Sequence, residues 1–175
     1  MALTVVLGGA RSGKSALAVR RARVFGGPVV FVATGEARDA EMTERIARHR
    51  AERDQRWSTV EAPIDLAAAV SAVPQDAFAI VDCLSLWTAN LVQRGDDEGS
   101  VVARAAATAG LAAARPGPTI AVSNEVGMGV VPPYELGRRY RDVLGRVNAI
   151  WAEHAAEVLL VVAGRTLVLG DDRGR

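Results

Sequence analysis

Four scarcities bound this chain. Cysteine is nearly absent: Cys83 stands alone, so no internal disulfide can form, and the chain suits a reducing compartment. Charge of one sign is not in excess. The net charge is +1, which gives none of the overall basic bias of a nucleic-acid or membrane-surface binder. Long apolar runs are missing as well, since none approaches the roughly 20 residues of a membrane span. The first residues run directly into a strand-like stretch, without the basic region, apolar core and cleavage site of a secretory signal. The expectation is a soluble, cytoplasmic protein with no nucleic-acid partner and no membrane span. Lysine is the fourth scarcity. Lys14 is the only one, and every other permanently basic residue is arginine. Internal repeats and low-complexity linkers are also wanting.

What is present is enough apolar material for one ordinary domain. Half of the 175 residues are apolar, and a chain of this length forms a sizeable single core. The domain is expected over residues 1–170, with 171–175 as a polar tail.

The lone lysine sits in the most informative stretch, Gly8-Gly9-Ala10-Arg11-Ser12-Gly13-Lys14-Ser15. A β-branched, apolar run (Leu3 to Leu7) leads into it, and an amphipathic, alanine-rich stretch (Ala16 to Phe25) follows. This is the strand–loop–helix setting of a phosphate-binding loop. Glycines let successive backbone N–H groups turn inward around a polyphosphate. The helix that begins there adds its positive dipole end. Lys14 is placed to reach the β- and γ-phosphates, and the Ser15 hydroxyl to ligate Mg²⁺. Using the only lysine here fits a compact ammonium on a flexible stem meeting a phosphate.

Apolar runs and helical patterns alternate along the rest of the chain. Pro28 to Thr34, Ala77 to Asp82, Thr119 to Ser123 and Val158 to Ala163 read as buried strands, with Thr166 to Leu169 as an antiparallel hairpin partner. Trp57 to Pro63 reads as a short strand or an extended loop. Helices are expected over Ile64 to Val73, Leu84 to Val92, Val101 to Ala114 and, longest of all, residues 135–155. Gln93 to Ser100 is polar and contains glycine, so a poorly ordered loop is expected there. The alternation implies a mostly parallel α/β sheet of five strands, with helices on both faces and an antiparallel C-terminal edge strand. In such sheets ligands bind at the C-terminal ends of the strands. Gly8 to Ser15, Thr34-Gly35, Asp82 and Asn124-Glu125 should therefore share one rim. Asp82 ends its strand as the carboxylate that contacts the Mg²⁺ shell in phosphate-loop proteins.

The segment from Ala40 to about Arg53 is helical in pattern but poor in apolar surface. Arg45, His49 and Arg53 recur at a spacing of four, on one face. Two readings stand side by side: a solvated, charged helix with an idle histidine, or a nucleophilic imidazole with arginines holding the phosphates it attacks.

A resemblance decides between them. The phosphate loop, the run Arg45-Ile46, His49-Arg50, Arg53 and Trp57, then Glu61, Asp82-Cys83-Leu84, Asn90-Leu91, Asn124-Glu125-Val126-Gly127-Met128-Gly129, and Arg141-Asp142 with Gly145 to Asn148 are similar to the bifunctional adenosylcobinamide kinase/adenosylcobinamide-phosphate guanylyltransferase family of cobalamin biosynthesis. The likeness extends from residue 2 to about 169. It implies a P-loop NTPase-like (RecA-like) fold and two reactions. The first phosphorylates adenosylcobinamide with ATP or GTP. The second transfers GMP from GTP to the new phosphate through a guanylylated histidine, giving adenosylcobinamide-GDP. By the same resemblance His49 is the nucleophile and Lys14 catalytic. The nucleotide contacts are Gly8, Gly9, Ala10, Arg11, Ser12, Gly13, Lys14, Ser15, Ala33, Thr34, Gly35, Arg50, Ala51, Glu52, Arg53, Glu61 and Asp82. Ser15 and Asp82 serve Mg²⁺. Glu61 is a candidate acceptor for guanine N1 and N2, the loop from Asn124 to Pro133 is assigned to the corrinoid side, and the expected assembly is a homotrimer. The alternatives are a phosphate-loop kinase of another small alcohol, without guanylyl transfer, and a nucleotide-gated binding ATPase.

Overall fold

The computed structural model describes residues 3–37, 39–51 and 54–170, without the side chains of Glu41, Met42, Arg45, Arg48, His49 and Ala51. In chain order its elements are β1 (Leu3–Gly8), α1 (Lys14–Phe25), β2 (Val29–Ala33), α2 (Ala40–Ala51), β3 (Ser58–Glu61), α3 (Leu66–Ala72), β4 (Phe78–Asp82), α4 (Leu84–Gln93), α5 (Glu98–Ala114), β5 (Thr119–Val122), α6 (Glu135–His154), β6 (Glu157–Val162) and β7 (Arg165–Val168). The strands form one sheet in the order β3-β2-β4-β5-β1-β6-β7. Neighbours are parallel except for β6 and β7, which pair antiparallel. The mostly parallel α/β sheet with an antiparallel edge is as expected, with one more parallel strand.

That strand is β3. Its residues are largely exposed and carry little apolar signal, yet they pair with β2 in register, Val30 opposite Ser58 through Ala33 opposite Glu61. Edge strands need no second apolar face, so their pattern is weak. β1 shows the opposite pattern. It lies between β5 and β6, and all six of its residues are buried.

Alternate strand residues face opposite layers. Leu3, Val5, Val32, Val81 and Ala121 join one core with Leu66 of α3, Trp87 and Leu91 of α4, Val101 of α5 and Trp151 of α6. Val6, Phe31, Ile80, Val122 and Val161 face the other way, against Ala18 and Ala22 of α1. The layers are unequal: four helices cover one face, while α1 is the helix packed in the core of the other. No described residue of α2 is buried. Its Ile46 reaches the start of α4, near Gly35 and Leu86.

The expected loop from Gln93 to Ser100 is shorter in the structure. Only residues 94–97 connect α4 to α5, because Asp97 caps the next helix by accepting from the Ser100 backbone N–H at 3.0 Å. Nor is the connection loose. Arg104 Nη1 donates to Asp96 Oδ2 at 3.3 Å, and Arg139 donates to the Asp96 carbonyl. At the opposite edge of the sheet Arg115 is buried. It donates to the carbonyls of Val73 (2.7 Å), Pro74 (3.0 Å) and Ala77 (2.8 Å) and to Thr119 Oγ1 (3.3 Å). Burial lowers its pKa.

Candidate active site

The loop between β1 and α1 is shaped by two glycines. Gly8 has φ 153°, and a Cβ there would stand 2.3 Å from the Val161 carbonyl oxygen, so β6 leaves no room for a side chain. Gly13 has φ 102°, in the left-handed region, and serves as the N-cap of α1 without a side-chain bond to the helix. The first N–H groups of α1 are thus left to face an anion. The turn after β6 braces the loop from behind, where the Gly164 N–H donates to the Ser12 carbonyl at 2.9 Å. Lys14 is buried, and its Nζ donates to the Gly9 carbonyl and lies 3.4 Å from Ser12 Oγ. The ammonium therefore stands over the loop that would cradle the phosphates. Gly9, Ala10 and Arg11 are exposed along its outer lip.

Ser15 Oγ donates to Asp82 Oδ1 at 3.4 Å. A hydroxyl from the first turn of α1 and a carboxylate from the end of β4 thus converge. They are hard oxygen donors of the kind Mg²⁺ takes, and Mg²⁺ usually needs only one or two protein ligands beside phosphates and water. Among the described residues no group of three or more His, Cys, Asp or Glu side chains is placed to hold a metal ion.

The sheet register sets the rest of the rim. Ala33 lies opposite both Glu61 and Asp82, so the ends of β3, β2 and β4 align. Thr34 turns inward and is wholly buried. Its Oγ1 accepts from the Cys83 N–H at 2.8 Å and donates to the Cys83 carbonyl at 2.7 Å, while its own N–H donates to the Asp82 carbonyl at 3.2 Å. Asn90 Nδ2 completes the support, donating to the carbonyls of Thr34 (2.8 Å) and Pro63 (3.0 Å). Gly35 follows at the surface of this pair. On the other side of the phosphate loop, the Glu125 N–H donates to the Gly8 carbonyl at 3.0 Å.

The helix α2 joins the rim through an ion pair. Arg50 and Glu61, both exposed, bond to each other. His49 precedes Arg50 on α2, and its side chain, with those of Arg45 and Ala51, lies outside the described residues, as do Glu52 and Arg53. The structure thus gathers the phosphate loop, Ala33, Thr34, Gly35, Glu61 and Asp82 on one edge, and ties the His49 helix to that edge.

A model of the cobinamide kinase/cobinamide phosphate guanyltransferase family matches residues 4–169. The chain belongs to this family. It is similar to the bifunctional adenosylcobalamin biosynthesis protein CobP of Pseudomonas aeruginosa, 45% identical over 166 residues that span 94% of this chain and 95% of that protein. CobU of Escherichia coli, with the same description, is 36% identical over 178 residues, covering 93% of this chain and 96% of the relative. A solved structure from Pyrococcus horikoshii superposes with a TM-score of 0.58 at 9% identity, covering 95% of this chain and 85% of that one, and it shows the fold alone.

For a member of the cobinamide kinase/guanyltransferase family, several supporting residues stand out that no spacing rule assigns a role. Asn124 Nδ2 donates to Ser85 Oγ at 3.1 Å, Asn148 Nδ2 to the Asn124 carbonyl at 3.1 Å, and Tyr140 OH to the Ser85 carbonyl at 3.2 Å. Burial, with Cys83 nearby, pushes the Tyr140 phenol up to about 12, so it remains a donor at neutral pH. Asn90, Asn124 and Asn148 stand among the residues that carry the family likeness. Their partners became visible only in three dimensions.

Proposed function

We propose that this chain phosphorylates the hydroxyl of the aminopropanol arm of adenosylcobinamide with ATP or GTP, and then transfers GMP from GTP to that phosphate. The observation that carries this reading is the approach of Ser15 and Asp82 to 3.4 Å beside the buried Lys14. In this role the phosphate loop, Gly8 to Ser15, holds the polyphosphate with backbone N–H groups. Lys14 offsets charge that develops on the transferred phosphoryl group. Ser15 and Asp82 would hold Mg²⁺, which supplies charge neutralisation at the phosphates.

In the second reaction the neutral imidazole of His49 attacks the α-phosphorus of GTP. A P–N bond forms, the bond to the bridging oxygen breaks, and pyrophosphate leaves. A phosphate oxygen of adenosylcobinamide phosphate then attacks the same phosphorus and releases the imidazole, giving adenosylcobinamide-GDP. Arg45, Arg50 and Arg53 favour the neutral imidazole and neutralise the phosphates. Ala33, Gly35, Ala51, Glu52 and Glu61 complete the nucleotide contacts. Thr34 contributes by holding the turn after Asp82. Glu61 reads guanine N1 and N2, with Arg50 fixing its carboxylate. The Arg50–Glu61 pair supports this assignment because it ties the His49 helix to the nucleotide edge.

A homotrimer in the cytoplasm is part of the same reading. Val162, Leu167 and Val168 are exposed on the β6–β7 hairpin and offer apolar surface for assembly. No described helix is long and apolar enough to cross a membrane.

The test is covalent labelling. The purified protein is incubated with Mg²⁺ and GTP labelled at the α-phosphate, then denatured. Acid-labile, base-stable label is expected on the wild type and is lost in His49→Ala. A folded protein that phosphorylates adenosylcobinamide without ever taking label would be a kinase alone, and His49 would be a bystander.

A further inference from the structure

We propose that Glu125 is the general base of the phosphorylation step, the group that takes the proton from the acceptor hydroxyl. The inference rests on the cobinamide kinase reading above. An alcohol that attacks phosphorus must shed its proton to an acceptor. The cations of the phosphate loop, Lys14 and Arg11, cannot take it, because neither carries an acceptor. A carboxylate beside the loop can.

The order of the sheet singles out Glu125. β5 lies between β1, which leads into the phosphate loop, and β4, which ends in Asp82. Val122 of β5 stands opposite both Val6 and Asp82. The ladder to β1 then runs on past the strand: the Ser123 N–H donates to the Val6 carbonyl at 2.9 Å, and the Glu125 N–H to the Gly8 carbonyl at 3.0 Å. Glu125 is thus anchored to the start of the phosphate loop, on the side where Asp82 lies. The other carboxylates of the rim are engaged or remote. Asp82 accepts from Ser15. Glu61 ends β3 at the far edge and pairs with Arg50. Glu36 follows β2, which β4 and β5 separate from β1. On the opposite side of β1, the turn after β6 is Ala163-Gly164-Arg165, with no carboxylate.

The face of the sheet agrees. Residues two apart in a ladder share a face, so Glu125 continues the face of Ala121 and Ser123. Ala121 packs in the core that takes in α3 to α6, whereas α1 packs on the other face. The phosphate loop and α1 hold the leaving diphosphate, and in phosphoryl transfer the attacking and leaving oxygens lie roughly in line. The acceptor oxygen therefore approaches from the side away from α1, the side of Glu125.

The carboxylate is also held in place. Glu125 is half-buried, and its Oε1 accepts from the Gly127 N–H at 2.6 Å. Its neighbour Asn124 donates to Ser85 Oγ and accepts at its carbonyl from Asn148 Nδ2, both at 3.1 Å. In the step itself a carboxylate oxygen of Glu125 takes the hydroxyl proton as the acceptor oxygen bonds to the γ-phosphorus. The bond from that phosphorus to the β–γ bridging oxygen breaks, the nucleoside diphosphate leaves with the electron pair, and Glu125 later returns its proton to solvent.

Glu125→Gln tests this. Glutamine keeps the shape and an amide oxygen that can accept from Gly127, so the loop should stand. A positioned base contributes about 10²–10⁴-fold, so kcat for phosphorylation of adenosylcobinamide should fall at least about a hundredfold, with KM for adenosylcobinamide within about threefold. Histidine labelling by GTP labelled at the α-phosphate involves no acceptor hydroxyl and should keep its rate. A retained kcat would overturn the proposal. So would a rise in KM alone, which would make Glu125 a residue that shapes the loop, and so would an equal loss of labelling, which would make it a support of the phosphate loop. A wild type that neither phosphorylates adenosylcobinamide nor takes label would overturn the cobinamide reading itself.

Discussion

The inward turn of Thr34 makes the position of the proposed Mg²⁺ ligand depend on one hydroxyl. Thr34→Val keeps the shape and removes both bonds to the Cys83 backbone, at 2.7 and 2.8 Å. Each such bond is worth about 0.5–1.5 kcal/mol net, so the pair contributes about 2 kcal/mol. For a domain of this size that is a fall in Tm of roughly 4–8 °C. The protein should stay folded, because natural domains hold about 5–15 kcal/mol in reserve. Asp82 directly precedes the released residue. If about half of the loss appears as misplacement of its carboxylate, about 1 kcal/mol, the Mg²⁺ concentration for half-maximal GTP labelling rises about fivefold. Urea unfolding followed by tryptophan fluorescence measures the first effect, and labelling across a Mg²⁺ titration measures the second. Thr34→Ser retains the hydroxyl and should show little of the Mg²⁺ effect. A Thr34→Val protein with stability within about 0.5 kcal/mol of the wild type and the same Mg²⁺ requirement would refute the reasoning.

Arg115→Ala should destabilise by about 4 kcal/mol, because three carbonyls lose a charged donor and buried acceptors left unpaired cost about 1–3 kcal/mol each. A loss under about 1 kcal/mol in urea unfolding would show that water replaces the guanidinium freely. A smaller, pH-dependent effect belongs to Glu157. The bond from Arg21 holds its carboxyl below the ordinary value of 4.5, burial opposes this, and Thr4 adds a second donor. A depressed folded pKa stabilises above the unfolded value and is lost as pH falls through the folded one. Both partners are about a third exposed, 38% and 34%, so the contribution is under about 1 kcal/mol. Glu157→Gln should therefore be less stable than the wild type at pH 7, with the gap closing toward pH 3. A gap that does not change with pH would contradict the assignment.

Much of the fold was legible because it rests on local patterns. β1, β2, β4 and β5 are short apolar runs, and each ends where the chain polarity changes. α6 carries a helical stripe from Leu136 to Trp151, of which Val143, Leu144, Val147 and Trp151 are buried, Tyr140 and Ile150 half-buried and Leu136, in the first turn, exposed. The phosphate loop was legible because its conformation is built from neighbours in sequence, glycines and the start of a helix. What failed locally was weak in signal. β3 is an exposed edge, and Asp97 was read as loop because its capping bond to Ser100 competes with a polar, glycine-containing context.

The amino-acid order by itself determined which strand ends carry chemistry, since each motif residue sits at the boundary of its own apolar run. Family membership also follows from order alone, because motif spacing is preserved along the chain. Only the tertiary structure decided how the ends are arranged: β4 and β5 lie between β2 and β1, and that order brings Asp82 to Ser15. It also turned Thr34 inward onto the Cys83 backbone and paired Arg50 with Glu61. These are contacts between residues far apart in the chain. Their existence depends on packing, register and crossover direction, and no local pattern encodes them.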